Sequence, residues 1–402
     1  MILSEATTRL DKQEAATAAL HGKGRRLDGV DVIRGLCIMN VVLHHTNIRI
    51  HFAESSLGAL LPKTAINALF WTGDYAVKIF FVISGFLITS SILGRWNELQ
   101  KIEWRKFYGM RFARIAPCLL ALLVILSALH LGRLDGFTIN PDRASLWRAL
   151  IAALTFHINW LEAHVGYLPG SWDVLWSLSV EETFYLAYPL LCRFVRNRFV
   201  LLAIGAALIV AGPFARAHAF NDIWYDYSYL GGMDAIAIGC VTAIAARSQW
   251  IQRVPRWVLV TAGVLLVSMA WFRAIAMKLG ISYNGLDVTV LAIGAALVIL
   301  AITRSEASGE EKSWLSGGGT AIVRWYGCNS YEIYLTHMFV VLWGVQIFLW
   351  RKISINAAPI WFLGILIVAG LLGEVVARFF SEPMNEWLRR RFGLGRAVTR
   401  SG

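Results

Sequence analysis

Charge is what this sequence has least of. Only 16% of its 402 residues are Asp, Glu, Lys or Arg, where a soluble domain of this length carries closer to a quarter. That scarcity excludes an ordinary soluble enzyme. The five cysteines (Cys37, Cys118, Cys192, Cys240, Cys328) are scattered, with no CxxC pair and no Cys/His cluster. Neither a zinc site nor a disulfide framework is indicated, and no metal is expected. The first 27 residues, polar and rich in Ala and Thr, lack an apolar core ahead of a cleavage site. They read as a cytoplasmic tail with no signal peptide. The net charge of +12 is not gathered on one soluble face but lies in short runs between apolar stretches, so no nucleic-acid partner is expected. No internal repeat is readable, and low complexity is confined to a loop at Ser316-Gly317-Gly318-Gly319.

What the chain does have is long apolar runs, at 33–52, 71–93, 112–131, 174–192, 199–213, 229–246, 257–275, 286–303, 325–349 and 360–380. They predict an all-α, polytopic transmembrane helix bundle of about ten spans. The run at 199–213 is short for a span. Segment 147–168, only moderately apolar and holding His157, Asn159, Glu162 and His164, reads as a re-entrant or interfacial piece buried in protein. With an even number of spans both termini share a side. Placing them in the cytoplasm leaves about 26 Lys/Arg in the inner segments and about 10 in the outer loops, the sense that the positive-inside rule requires. The expected organisation is a polar tail at 1–27, a membrane domain at 28–385 and a basic cytoplasmic tail at 386–402.

Within these spans the costly residues are few. Arg34 and His45 lie eleven residues apart, within about 20° of one helix face and about 16 Å apart along its axis. Either Arg34 snorkels and His45 merely bonds a neighbouring helix, or the pair has a function. Asp28 and Asp31 precede them at the positive end of the helix, as capping residues do. In the second span Ser84-Gly85 suits close helix packing, and Lys78 is placed to snorkel at the outer end. Arg111 and Arg114, three apart, share a face at the start of the third span. They serve either topology and lipid phosphate or a bidentate clamp for a phosphorylated ligand. Trp176-Ser177-Leu178-Ser179-Val180-Glu181-Glu182-Thr183-Phe184-Tyr185 puts two carboxylates inside an apolar run, where they should face a cavity or a cation. Glu332 and His337 enter the ninth run, and Glu382-Pro383 closes the last. Together these suggest a polar chamber inside a bundle.

Taken in order, these residues resemble the acyltransferase-3 family of integral membrane O-acyltransferases, which includes O-antigen, exopolysaccharide and Nod-factor acetylases. The resemblance rests on Arg-x10-His (Arg34, His45), Phe80 to Ile88, Phe107 to Pro117, Trp176 to Tyr185, Asp234 to Gly239, Tyr334 to His337 and Glu382-Pro383, and it covers about 27–385. The register assigns the family histidine to His45, not His44. Met110 stands where the family often has a third basic residue, Gly232 where an Arg often precedes the Asp, Lys78 for a frequent Asp or Pro, and Glu332 for a small or aliphatic residue.

The resemblance implies transfer of an acyl group, acetyl in the family pattern, from cytosolic acyl-CoA (acetyl-CoA) to a hydroxyl of a cell-surface glycan or lipid-linked sugar. The enzyme would sit in the inner membrane, with acyl-CoA a co-substrate and no bound cofactor. Arg34, Arg111 and Arg114 would hold the donor's phosphates. His45 would act as general base or as a covalent acyl carrier. Glu181 or Glu182 would orient the imidazole or pair with Arg34, and Trp176, Ser177, Tyr185 and His337 would contact substrate. With no SGNH-type domain following the bundle, transfer is expected to finish inside the membrane domain. A proton-coupled transporter with a His45/Glu181/His337 relay is the competing class. It calls for inverted repeats, and no paired halves are readable. A purely structural membrane subunit is the third reading.

Overall fold

The computed structural model describes residues 27–308 and 317–394. The tail expected at 1–27 lies outside the described residues but for Leu27, as do Ser316 of the glycine loop and residues 395–402 of the basic tail. In chain order the helices that matter here are α1 (Asp28–Asn47), α2 (Gly73–Trp96), α3 (Trp104–Leu131), α4 (Leu146–Leu154), α5 (Ile158–Val165), α6 (Gly170–Asp173), α7 (Leu175–Phe194) and α8 (Arg198–Ala217). They continue with α9 (Asp222–Tyr227), α10 (Tyr229–Ala245), α11 (Arg256–Trp271), α12 (Asp287–Ser308), α13 (Ala321–Cys328), α14 (Ser330–Trp350), α15 (Ala358–Val376) and α16 (Glu382–Arg391). No strand occurs among the described residues. The fold is an all-α polytopic bundle.

Each of the ten apolar runs falls on helix, and among the described residues seven helices are long and apolar enough to cross a membrane. The three runs outside those seven are informative. The α11 run forms only 16 helical residues. The other two, α1 and α7, carry Arg34 with His45 and Glu181 with Glu182. The polar side chains that lower their hydropathy are the ones the bundle turns inward. The run at 199–213 proves longer than its apolar core: Asn197 caps α8 by accepting from the Phe199 N–H, and the helix continues through Pro213 to Ala217, 20 residues in all. Only 6% of that window is buried, so α8 lies at the periphery with Phe199, Val210 and Phe214 facing outward.

Residues 146–173 are broken twice, into three short helices. Ser145 caps α4, Phe156 turns the chain at φ 57°, and Gly166 turns it again at φ 85° before Pro169. At 1.5 Å per residue α4 and α5 reach only about 12–14 Å, far short of about 30 Å of hydrocarbon. Ile158, Asn159, Leu161 and Glu162 are buried while Trp147, Leu154 and Trp160 are exposed, so the segment is too short and broken to span and turns one face into the bundle.

Helix crossings rest on small residues. A Cβ on Gly85 of α2 would stand 2.0 Å from the Ile236 carbonyl oxygen of α10, and one on Gly239 of α10 would stand 2.0 Å from the Val82 carbonyl oxygen of α2. The two backbones therefore touch, as the Ser84-Gly85 pair predicts. Behind them Arg216 of α8 is fully buried and forks onto Asp234 of α10 at 3.1 and 2.7 Å, while also bonding Thr289 of α12 at 2.7 Å. The arginine that pairs with Asp234 thus comes from another helix. Lys78 does not snorkel. It is 1% exposed, donates to the Asp226 carbonyl at 2.5 Å and lies over the Trp176 ring at 4.9 Å, because α9 folds back over its end of α2.

Candidate functional site

A cavity of about 550 Å³ opens at the end of the bundle where α1 and α3 begin. Its wall includes Arg34, Arg95, Arg111, Arg114 and Arg389 against Glu181, Glu382 and Glu386, five cations facing three carboxylates. The excess on the wall itself is positive, while Asp31, Glu182 and Glu332 behind it pair with three of the arginines. Deeper in, Ser84, Ser177, Tyr185 and Tyr334 replace charge with hydroxyls.

The three arginines singled out by sequence come together here, each held differently. Arg34 donates to Asp31 at 3.0 Å and to Ser330 of α14 at 2.8 Å. Asp31 is thus more than a cap: it fixes the Arg34 fork. Arg111 and Arg114 share a helix face but diverge at their tips. Arg111 pairs with Glu182 of α7 at 3.3 Å, and its guanidinium lies 3.6 Å from the centroid of the Tyr185 ring. Arg114 pairs with Glu332 of α14 at 2.8 Å, and Ser381 bridges the two, donating to Glu332 at 2.7 Å. Neither arginine waits unpaired. Each guanidinium is oriented by a carboxylate and keeps donors for a further acceptor.

Glu181 and Glu182 part company because adjacent helical residues differ by about 100°. Glu182 goes to Arg111. Glu181 lies within hydrogen-bonding reach of Ser84 and in the field of Arg111 and Arg34. Among the described residues neither bonds His45. Tyr185 hydrogen-bonds Ser84 and carries Arg111 on its face. Ser177 meets the Tyr334 hydroxyl at 2.6 Å, while Tyr334 donates to the Val174 carbonyl at 2.9 Å. Trp176 does not reach the cavity: its ring stacks on Tyr227 at 4.2 Å and an interplanar angle of 6°, 5% exposed.

The group beside His45 is His337, with ring centroids 5.3 Å apart. His337 Nδ1 faces the carbonyls of Tyr334 at 2.7 Å and Ile333 at 3.2 Å. Carbonyls only accept, so Nδ1 carries the proton of the neutral ring and Nε2 keeps its lone pair. Nε2 is buried and has no hydrogen-bond partner among the described residues. The His337 ring is also 5.8 Å from that of Tyr334. A line of side chains, Ser177–Tyr334–His337–His45, therefore leads from the inner wall of the cavity to the conspicuous histidine. His44, by contrast, is tied off: Nδ1 lies 3.1 Å from the Phe70 carbonyl, and its ring abuts Trp71.

Sequence reasoning passed over Arg95, Arg389 and Glu386 of the cavity wall and the partner Ser330. Arg95 and Arg389 entered only the Lys/Arg asymmetry, and α16 continues without a break through the boundary at 385. Ser330 lies 296 residues from Arg34, a separation that carries no local signal.

With this geometry in view, comparisons with known proteins are direct. The family described as an acyltransferase domain, acyltransferase-3, matches residues 27–378. The O-acetyltransferase OatA of Staphylococcus aureus is 24% identical over 90% of this chain and 58% of its own length. The peptidoglycan O-acetyltransferase OatA of Listeria monocytogenes is 25% identical over 89% of this chain and 55% of its own. The acyltransferase MdmB of Streptomyces mycarofaciens is 26% identical over 91% of this chain and 93% of its own. This chain thus spans a little over half the length of the OatA proteins and nearly all of MdmB. No solved structure matches it. Because the match spans the helices that carry Arg34, His45, Glu181, Glu182 and His337, the chain belongs to the acyltransferase-3 family.

Proposed function

We propose that this protein is a membrane O-acyltransferase that moves an acetyl group from cytosolic acetyl-CoA to a hydroxyl of a cell-surface glycan or glycolipid precursor. The observation that carries the reading is the arginine-lined cavity whose inner wall connects to His45 through Tyr334 and His337. The arginine end faces the cytoplasm of the inner membrane, in keeping with the Lys/Arg asymmetry. Arg34, Arg111 and Arg114 hold the diphosphate and 3′-phosphate of CoA, and the pantetheine arm runs inward past Ser84, Ser177 and Tyr334. His45 and His337 do not line the cavity, so the thioester must pass Tyr334 to meet His45. His45 takes the proton of the acceptor hydroxyl as its oxygen attacks the thioester carbonyl. The intermediate collapses with release of the CoA thiolate, which receives that proton from His45. The name of the Listeria relative, a peptidoglycan O-acetyltransferase, supports a glycan acceptor, and the family supports acyl transfer.

The test is membranes carrying the full chain, supplied with labelled acetyl-CoA. Transfer or hydrolysis should be seen in wild type. His45→Ala should lower it by about 10²–10⁴ while CoA binding persists, and His44→Ala should be mild because that ring is anchored away from the line. A trapped acetyl group on His45, found by mass spectrometry with donor alone, would assign the covalent route. Full activity in His45→Ala would remove His45 from the chemistry, whereas neither transfer nor hydrolysis in wild type would sink the acetyl-CoA reading.

A further inference from the structure

Helix α16 turns a polar stripe into the donor cavity. Glu382, Asn385, Glu386 and Arg389 recur at the spacing of one helix face, and all four line the cavity. Trp387, on another face, is exposed. A stripe at this spacing is ordinarily the apolar one that seats a helix on its core. Here it is polar and bounds an open space, so it calls for a polar occupant. The family match ends at residue 378, and the stripe lies beyond it. Within the stripe, Asn385 is only 8% exposed, and its Oδ1 is buried with no hydrogen-bond partner among the described residues. A buried carboxamide oxygen in a cavity wall needs a donor.

The two remaining arginines of the wall differ from the other three. Arg34, Arg111 and Arg114 each lie against a carboxylate. Arg95, in the last turn of α2, is exposed and makes no ion pair among the described residues. Arg389, in the last turn of α16, lies in the field of Arg95. Two guanidiniums brought together on one cavity wall repel each other, and an anion between them relieves that repulsion. Arg389 stands one turn beyond Asn385 on the same face, about 6 Å along the axis. Phe107 and Met110 of α3, against which α16 packs, also line the cavity.

We propose that α16 holds the 3′-phosphoadenosine end of the donor, with Asn385 reading the edge of the adenine and Arg389 and Arg95 sharing the 3′-phosphate with the inner arginines. An adenine edge sets an amino donor beside a ring-nitrogen acceptor, the complement of a carboxamide's oxygen and amino group. Its amino group gives the Asn385 oxygen the donor it lacks. Glu382 and Glu386, to either side, repel phosphate and so direct it to the arginine end of the stripe. Phe107 and Met110 offer apolar surface to the purine ring. The inference rests on the acyl-CoA reading and adds which residues distinguish a nucleotide-bearing thioester from any other.

The experiment uses the full chain in nanodiscs and follows by calorimetry the binding of CoA, dephospho-CoA, and adenosine and guanosine 3′,5′-bisphosphates. Wild type should bind CoA about 10-fold or more tighter than dephospho-CoA, the scale of a charge-assisted phosphate contact. It should prefer the adenosine bisphosphate to the guanosine compound by about 5- to 150-fold. Arg95→Ala and Arg389→Ala should weaken CoA while leaving dephospho-CoA nearly unchanged. Asn385→Leu should erase the preference for adenine and keep the preference for the 3′-phosphate. The wild-type preferences need no variant, and Arg95 is exposed, so the test stands if a variant on α16 does not fold. Equal wild-type affinity for CoA and dephospho-CoA overturns the phosphate assignment, as does an equal loss of both ligands in the arginine variants. Equal wild-type affinity for the two bisphosphates, or an undiminished adenine preference in folded Asn385→Leu, overturns the assignment of Asn385. Absence of both CoA binding and acetyl-CoA turnover overturns the acyl-CoA reading itself.

Discussion

Arg111 and Arg114 differ in what their removal exposes. Losing a charge-assisted phosphate contact costs about 1.5–3 kcal/mol, so Arg111→Ala and Arg114→Ala should weaken CoA binding about 10- to 150-fold, and Arg→Lys less, since lysine keeps charge but not the fork. Calorimetry on the purified protein reads this directly. Arg114→Ala also strands Glu332, whose side chain is 0% exposed. That single variant should lose about 3–5 kcal/mol of stability as well. Adding Glu332→Gln should recover the melting temperature without recovering the affinity. If both alanine variants bind CoA as wild type does, the pair serves topology alone.

Helix packing carries its own prediction. Gly85 and Gly239 bring the α2 and α10 backbones into contact, so Gly85→Val or Gly239→Val must push them apart. Each should cost at least about 1–3 kcal/mol, seen as a lowered melting temperature in detergent. Gly364→Ala on α15 is the control: nothing lies within 4 Å of its Cβ position, and it should be neutral or slightly stabilising. Equal melting temperatures for all three would show that the α2–α10 crossing is not close-packed. Because α2 also carries Ser84, spreading this crossing should loosen the Ser84–Tyr185 bond and with it the platform under Arg111.

For the whole molecule, the arginine cavity at one end of α1 makes orientation a functional matter. Reporter fusions after Arg198 and Arg400 should report cytoplasm, and a fusion after Asn140 should report the outside, as the distribution of Lys/Arg requires. An outside signal at Arg400 would overturn both the even number of spans and the assignment of the arginine cavity to the cytosol.

Helix-forming runs, the inward-turning α1 and α7, and the Arg34–His45 face were legible in the sequence because helical periodicity and the cost of charge in hydrocarbon are local properties. The same locality explains the interrupted segment around 147–168, whose polar residues could not face lipid. Which carboxylate meets which arginine was not legible. Arg34 finds Ser330 and Arg114 finds Glu332 through contacts between helices remote in the chain, and Asp234 finds Arg216 on a different helix. Lys78 and Trp176 misled for the same reason: their surroundings are set by α9, which folds back over them. The sequence by itself determined that this is a helical membrane bundle with charged residues at its heart. Only the tertiary structure decided that those charges pair across helices around an arginine cavity at one end, because side-chain pairing depends on which helices touch and at what depth, and neither distance is written in a single strand of residues.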